Sequence, residues 1–207
     1  VEVYMNTRSY DAALKSIDRI AKPSAQILEA KQKILFQLGT QSFANADFEQ
    51  ALKYLNQSIA IGQYNRQTKA DAYYWCGESY YRLNRMVEAA RDFNAYLQLT
   101  TQPNNEMYAL ANYNLGYIAF HRKDYTQASN YFQKYVQLEK GENATALADA
   151  YNRIGDCHLH VRNFEEAKQY YSQAEQMNTS SGDYSFYQLA LVSGLQKDYT
   201  GKITLLN

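Results

Sequence analysis

Apolar residues recur with helical period along this chain, in paired segments divided by short polar turns. In the first segment of each pair the stripe runs through Leu35 and Leu38, then Tyr73, Cys76 and Tyr80, then Tyr151 and Ile154. The dividing turns are Asn45-Ala46-Asp47, Asn84-Arg85 and Lys123-Asp124, and Ser24, Asn104-Asn105-Glu106 and Asn143 supply caps for following helices. Longer connections are expected from Gly62 to Lys69 and from Thr100 to Asn105.

One spacing repeats: a Gly, an aromatic nine positions later, an Ala at twelve and a large apolar residue at sixteen. The sets are Gly39, Phe48, Ala51, Leu55; Gly77, Met86, Ala89, Phe93; Gly116, Tyr125, Ala128, Phe132; and Gly155, Phe164, Ala167, Tyr171. Only Met86 departs. The offsets extend to Tyr10, Ala13 and Ile17 at the start, and to Ala190, Tyr199 and Leu206 at the end, where Lys202 stands at the Ala position. This divides the chain into a partial repeat at 1–24, full repeats at 25–66, 67–104, 105–143 and 144–181, and a partial repeat at 182–207, forming one solenoid. Gly and Ala belong where two helices cross and bulk is excluded, so Gly116 is expected to face Ala128.

The spacing resembles the tetratricopeptide repeat, most closely in Asn114-Leu115-Gly116-Tyr117 and Lys123-Asp124-Tyr125-Thr126-Gln127-Ala128. The period of 38 to 39 residues, read from Ala13, Ala51, Ala89, Ala128 and Ala167, exceeds the usual ~34. Residues 70–81, Ala-Asp-Ala-Tyr-Tyr-Trp-Cys-Gly-Glu-Ser-Tyr-Tyr, are also similar to repeats of bacterial envelope proteins, namely the Tol-Pal accessory protein and the outer-membrane assembly lipoproteins. The family resemblance implies an all-α, right-handed superhelix of antiparallel helix pairs, whose first helices line a concave groove that holds peptides or proteins. It implies no catalysis. The envelope likeness points to a periplasmic or outer-membrane-associated setting.

Counting from each Gly, the residues three before, one after and four after share a helix face assigned to the groove: Phe36, Thr40 and Phe43; Tyr74, Glu78 and Tyr81; Tyr113, Tyr117 and Phe120; Asn152, Asp156 and Leu159. Trp75, Asn114 and Arg153, two before each Gly, stand on its wall. Aromatics crowd the two middle repeats, as in surfaces that anchor a partner, although each ring could equally pack against the next repeat. Some family members grip a C-terminal carboxylate. Here Asn114 and Arg153 fall at matching places, but Tyr74 and Glu78 replace one Lys and Asn, and Asp149 replaces a later Lys. An anion beside Glu78 and Asp149 would be repelled, which excludes that clamp.

Composition narrows the function further. Lys plus Arg and Asp plus Glu both total 21, so no net field favours nucleic acid. With 21 Tyr, only 2 Pro and 9 Gly, the chain favours helices over turns and strands. Cys76 and Cys157 have no metal spacing, and His121, His158 and His160 lack a fixed third ligand, so neither metal nor cofactor is expected. No Ser-His-Asp set or phosphate loop emerges to support an enzyme. Neither a membrane span nor a signal segment is present in this sequence, and both ends run out within helical patterns, which suggests a piece of a longer protein that exposes apolar residues such as Leu189, Leu205 and Leu206 and self-associates there. The function read from the sequence is a non-catalytic protein- or peptide-binding scaffold. The alternatives are a spacer or oligomerisation segment of an envelope protein, or an accessory domain of an enzyme lying outside these residues.

Overall fold

A computed structural model describes residues 9–139, 141, 143–180 and 182–206, with positions 199, 200, 205 and 206 described for their backbone only. Among these residues there are eleven helices and no strand. The chain divides into two compact units, residues 1–103 and 104–207. In the first, α1 (Tyr10–Ile17) packs on α2 (Ala25–Ala44), which pairs with α3 (Phe48–Ala60), and α3 packs on α4 (Arg66–Arg82), which pairs with α5 (Met86–Leu99). In the second, α6 (Glu106–His121) pairs with α7 (Tyr125–Leu138), α8 (Ala144–His160) with α9 (Phe164–Gln176), and α10 (Gly182–Leu195) with α11 (Tyr199–Leu206); α7 packs on α8, and α9 on α10.

Each pair is bent by one device. The residue two positions after the first helix adopts the left-handed region, at Ala46 (φ 59), Asn84 (φ 59), Lys123 (φ 62), Arg162 (φ 61) and Lys197 (φ 65). Its N–H returns to the carbonyl three residues back, and the next N–H reaches five back, as Lys123 to Phe120 and Asp124 to Ala119 do. The following helix is then capped by Asp47 or Asp124, whose carboxylates accept from the amides of Gln50 and Gln127. Ser24, Asn105 and Asn143 cap α2, α6 and α8 as the sequence predicts, and Asn65 caps α4. That cap shortens one expected connection, because Arg66 to Lys69 already belong to α4. The extra period is carried by the full first helices as well, which run 16 to 20 residues against 13 or 14 for their partners.

The Ala of every repeat is fully buried, at positions 13, 51, 89, 128 and 167. The Gly, however, meets a different neighbour from the one expected. A Cβ built on Gly116 would stand 2.8 to 2.9 Å from three carbons of the Phe132 ring, and on Gly77 2.8 to 3.0 Å from Phe93; Ala128 is not among the nearest groups. Gly39 meets Leu55 and Gly155 meets Tyr171 in the same way. The absent side chain is thus the seat for the large residue sixteen positions on. Burying each such ring contributes about 1.5 to 3 kcal/mol.

Candidate protein-binding faces

In the first unit, the face assigned from sequence is built on α2 and α4. Phe43 forms its centre: its ring lies 5.3 Å from Phe48 and 4.9 Å, edge-on, from Trp75, which in turn meets Tyr74 at 5.4 Å. Trp75 and Phe43 are half-buried, with Phe36, Thr40, Glu78 and Tyr81. Tyr74 is not part of an open groove. Only 4% exposed, its ring packs against Phe93 and Tyr96 because a phenol at this place fills the gap between α4 and α5. Burial, followed by the charge of Glu78, raises the Tyr81 hydroxyl above its ordinary pKa. An open hollow of about 540 Å³ adjoins Thr40, lined also by Tyr10, Gln37 and Gln41.

In the second unit, the corresponding residues of α6 and α8 are tied into one polar chain. Asp149 accepts hydrogen bonds from the hydroxyls of Tyr113, at 2.7 Å, and Tyr117. Arg153 Nε lies 3.5 Å from Asp149, and Arg153 Nη1 lies 2.7 Å from Asp156 Oδ2. Asp156 Oδ1 accepts from Tyr171 and Tyr184, both at 2.7 Å, and the Arg153 guanidinium sits 5.0 Å from the Tyr184 ring centroid. One cation is therefore shared between two carboxylates, and no charge is left over to hold a foreign carboxylate. Desolvation raises the pKa values of Tyr113 and Tyr117, with Asp149 adding to the rise, and raises that of Asp156 against the pull of Arg153.

Two of the assigned residues here belong to contacts between repeats and not to an open surface. Asn152 is 1% exposed and accepts from Ser185 Oγ at 2.9 Å, and Asp156 is 5% exposed. Polar side chains at these depths are kept because the next first helix brings them partners. Tyr113, Asn114, Tyr117, Phe120, Arg153 and Leu159 remain half-buried. Phe120 packs on Tyr125, whose ring stacks on His160 at 4.2 Å with planes 5° apart, so His160 serves as an aromatic plate. The sequence reasoning passed over Asp149 and Tyr184 as members of this set. Both stand six positions before the Gly or its equivalent Ala190, one turn ahead of the assigned face, and that common offset was the available signal.

Among the described residues no group of three His, Cys, Asp or Glu side chains could hold a metal, and no helix is long and apolar enough to cross a membrane. Models of the tetratricopeptide repeat match residues 36–106 and 107–180. The chain belongs to the tetratricopeptide-repeat family. Solved tetratricopeptide-type structures include YrrB, described as a TPR protein with an unusual peptide-binding site (TM-score 0.69, 17% identity, 84% of this chain and 81% of that one). MamA from Desulfovibrio magneticus RS-1 gives a TM-score of 0.67 at 18% identity, covering 85% and 91%, and BtubC (BKLC) from P. vanneervenii gives 0.65 at 16%, covering 96% and 85%. At these identities the likeness establishes the fold alone. No curated protein matches the sequence. The similarity of residues 70–81 to envelope-type repeats finds no support among these matches.

Proposed function

We propose that this chain is a non-catalytic scaffold that binds a protein or peptide on the first-helix faces of its repeats. The observation that carries the proposal is the set Tyr113, Tyr117, Asp149 and Arg153: half-buried rings and charges locked to one another before any partner arrives. Pre-ordered aromatic and guanidinium groups lose little freedom on binding, which is the property of residues that dominate interfaces. In the first unit Phe43 and Trp75 offer the apolar counterpart. YrrB's peptide-binding site supports the same use of this fold.

The test is a titration of a partner captured from the source cell against four proteins: wild type, Trp75→Leu, Tyr117→Leu, and Val87→Ala as a control on an exposed residue of α5. Affinity should fall by about 2 kcal/mol, roughly thirtyfold, in at least one of the first two variants and stay unchanged in the control. Affinity equal to wild type in both variants would move the contact off these faces.

A further inference from the structure

The place six before the Gly of a first helix is a carboxylate in one repeat of each unit: Asp71 on α4 and Asp149 on α8. Asp149 shows what such a group takes for partners. The Tyr113 and Tyr117 hydroxyls donate to it, and Arg153, one turn on, brings its Nε to 3.5 Å. Asp71 has none of these. On α2 the places of the two phenols are held by Phe36, which has no hydroxyl, and Thr40, whose hydroxyl goes to the Gln37 carbonyl at 3.1 Å. The place of Arg153 is held by Trp75. What remains to Asp71 is one hydrogen bond, from Gln67 Nε2 at 2.7 Å, and among the described residues it forms no ion pair. Of the cations on α2 and α4, Lys33 pairs with Glu29 and Lys31 with Asp18, each at 2.7 Å, and Arg66 donates to the Leu99 carbonyl at 3.0 Å. Burial raises the Asp71 pKa above its ordinary value, against the pull of the Gln67 hydrogen bond.

We infer that the partner of the α2 and α4 face is a polypeptide segment carrying an arginine, whose guanidinium lies on the Asp71 carboxylate and whose stem lies along the Trp75 indole. The inference rests on the reading of these faces as partner-binding and adds the chemistry of the partner. The chain supplies its own template. Arg153 serves Asp149 while its guanidinium sits 5.0 Å from the Tyr184 ring centroid, so a carboxylate and an aromatic ring already share one cation in this fold. In the first unit the carboxylate has no such residue of its own, and a half-buried indole stands in the place of the guanidinium. Indole is the aromatic ring that attracts a cation most strongly, and Phe43, edge-on at 4.9 Å, holds it in position. Glu78, three beyond Trp75, makes the same face more negative, so charge complementarity also selects a cation. Arginine is favoured over lysine because its planar fork meets a carboxylate with two hydrogen bonds while stacking on a ring.

Trp75 is the only tryptophan of the chain, so its emission reports occupancy of this face directly. The probes are two capped pentapeptides, Ala-Leu-Arg-Leu-Ala and the same sequence with citrulline, which keeps the shape of arginine and removes its charge. The arginine peptide should shift the emission saturably and bind at least about tenfold tighter than the citrulline peptide. Asp71→Asn, which keeps the size of the side chain, should abolish that preference with unchanged helical circular dichroism, while Glu49→Gln, at an exposed carboxylate of α3, should preserve it. Equal affinity of wild type for the two peptides overturns the inference and leaves the apolar contact with Phe43 and Trp75, and with it the broader reading, standing. A preference that survives Asp71→Asn overturns it by placing the cation on another group. No emission change with the arginine peptide overturns it as well, and the broader reading is then decided by the captured partner. Should Asp71→Asn fail to fold, the two wild-type titrations decide the question by themselves.

Discussion

Gly116 offers the sharpest check on how the helix pairs are packed. In Gly116→Ala two effects oppose each other: Ala is preferred to Gly within a helix by about 0.5 to 1 kcal/mol, while an added Cβ would lie 2.8 to 2.9 Å from the Phe132 ring, well inside van der Waals contact. Phe132 is fully buried and flanked by Tyr113 at 5.8 Å and Tyr117 at 5.2 Å, so its ring cannot retreat without moving both. Overpacking of this kind costs about 1 to 3 kcal/mol. The collision wins, and the net loss should be about 1 kcal/mol.

Gly194→Ala supplies the comparison within the same unit. Its Cβ would approach only the Lys202 stem, at 3.2 Å, and that exposed flexible chain can move aside. The helix preference then survives, reduced near the end of α10, and stability should rise by a few tenths of a kcal/mol. Thermal melts followed at 222 nm should show Gly116→Ala falling by about 2 to 4 °C and Gly194→Ala unchanged or slightly higher. Gly116→Ala melting at or above wild type would refute the reasoning. A cycle with Phe132→Leu sharpens it: the pair should cost less together than the two singles added, because the smaller side chain makes the room that the added methyl group needs.

Further outcomes follow from the turns and the buried polar groups. Lys123→Gly and Ala46→Gly relieve left-handed backbone that costs an L-residue about 1 to 2 kcal/mol, offset in part by the freedom glycine adds to the unfolded chain; urea midpoints should rise by an amount equivalent to about 0.5 kcal/mol, and a fall in both would contradict the turn assignment. Asp92 is 1% exposed with one carboxylate oxygen lacking a hydrogen bond, and burial raises its pKa despite Arg91. A raised folded-state value means that protonation favours folding, fully so below the unfolded value of ~3.9, and that stability is lost as pH climbs through the folded value. Asp92→Asn should therefore gain on wild type between pH 4 and 7, and a melting-temperature gap that narrows over that range would rule this out. Tyr184→Phe removes one donor from Asp156, and α10 should exchange its amides faster relative to α6 by the equivalent of about 1 to 2 kcal/mol; equal protection in variant and wild type would show that this hydrogen bond does not tie α10 down.

The helix pairs were legible because a strict spacing of Gly, aromatic and Ala records a steric requirement that every pair shares. Spacing alone does not say which group fills the space left by Gly. Ala128 and Phe132 both lie on the inner stripe of α7, and only coordinates show the ring seated on Gly116. The face carrying the candidate site was read from helical geometry, which correctly separates directions around one helix but is blind to what the next helix lays over them. Hence Phe43, Trp75, Tyr113 and Tyr117 remain half-buried, while Tyr74, Asn152 and Asp156 at equivalent positions are covered. Expected features at Leu205 and Leu206 fall outside the described side chains, and the exposed apolar stripe of α10 lies instead on Tyr187, Leu191 and Leu195, with Leu189 buried.

Positions that break the repeat carry the information that the repeat itself conceals. Fifteen residues after the Gly the chain has Tyr54, Tyr131 and Tyr170, but Asp92 in the second full repeat, where an aromatic is exchanged for a buried carboxylate held by the exposed guanidinium of Arg91. One after the Gly it has Thr40, Glu78, Tyr117, Asp156 and, after Ala190, Leu191: a hydroxyl, two carboxylates, a phenol and an aliphatic side chain at one geometric place. A place that the fold required to be uniform would not vary so widely within a single chain, as the invariant buried Ala at 51, 89, 128 and 167 shows. Variation at this first-helix place is therefore the mark of a surface shaped repeat by repeat for particular neighbours: Asp156 for Tyr171 and Tyr184, and Tyr117 for Asp149.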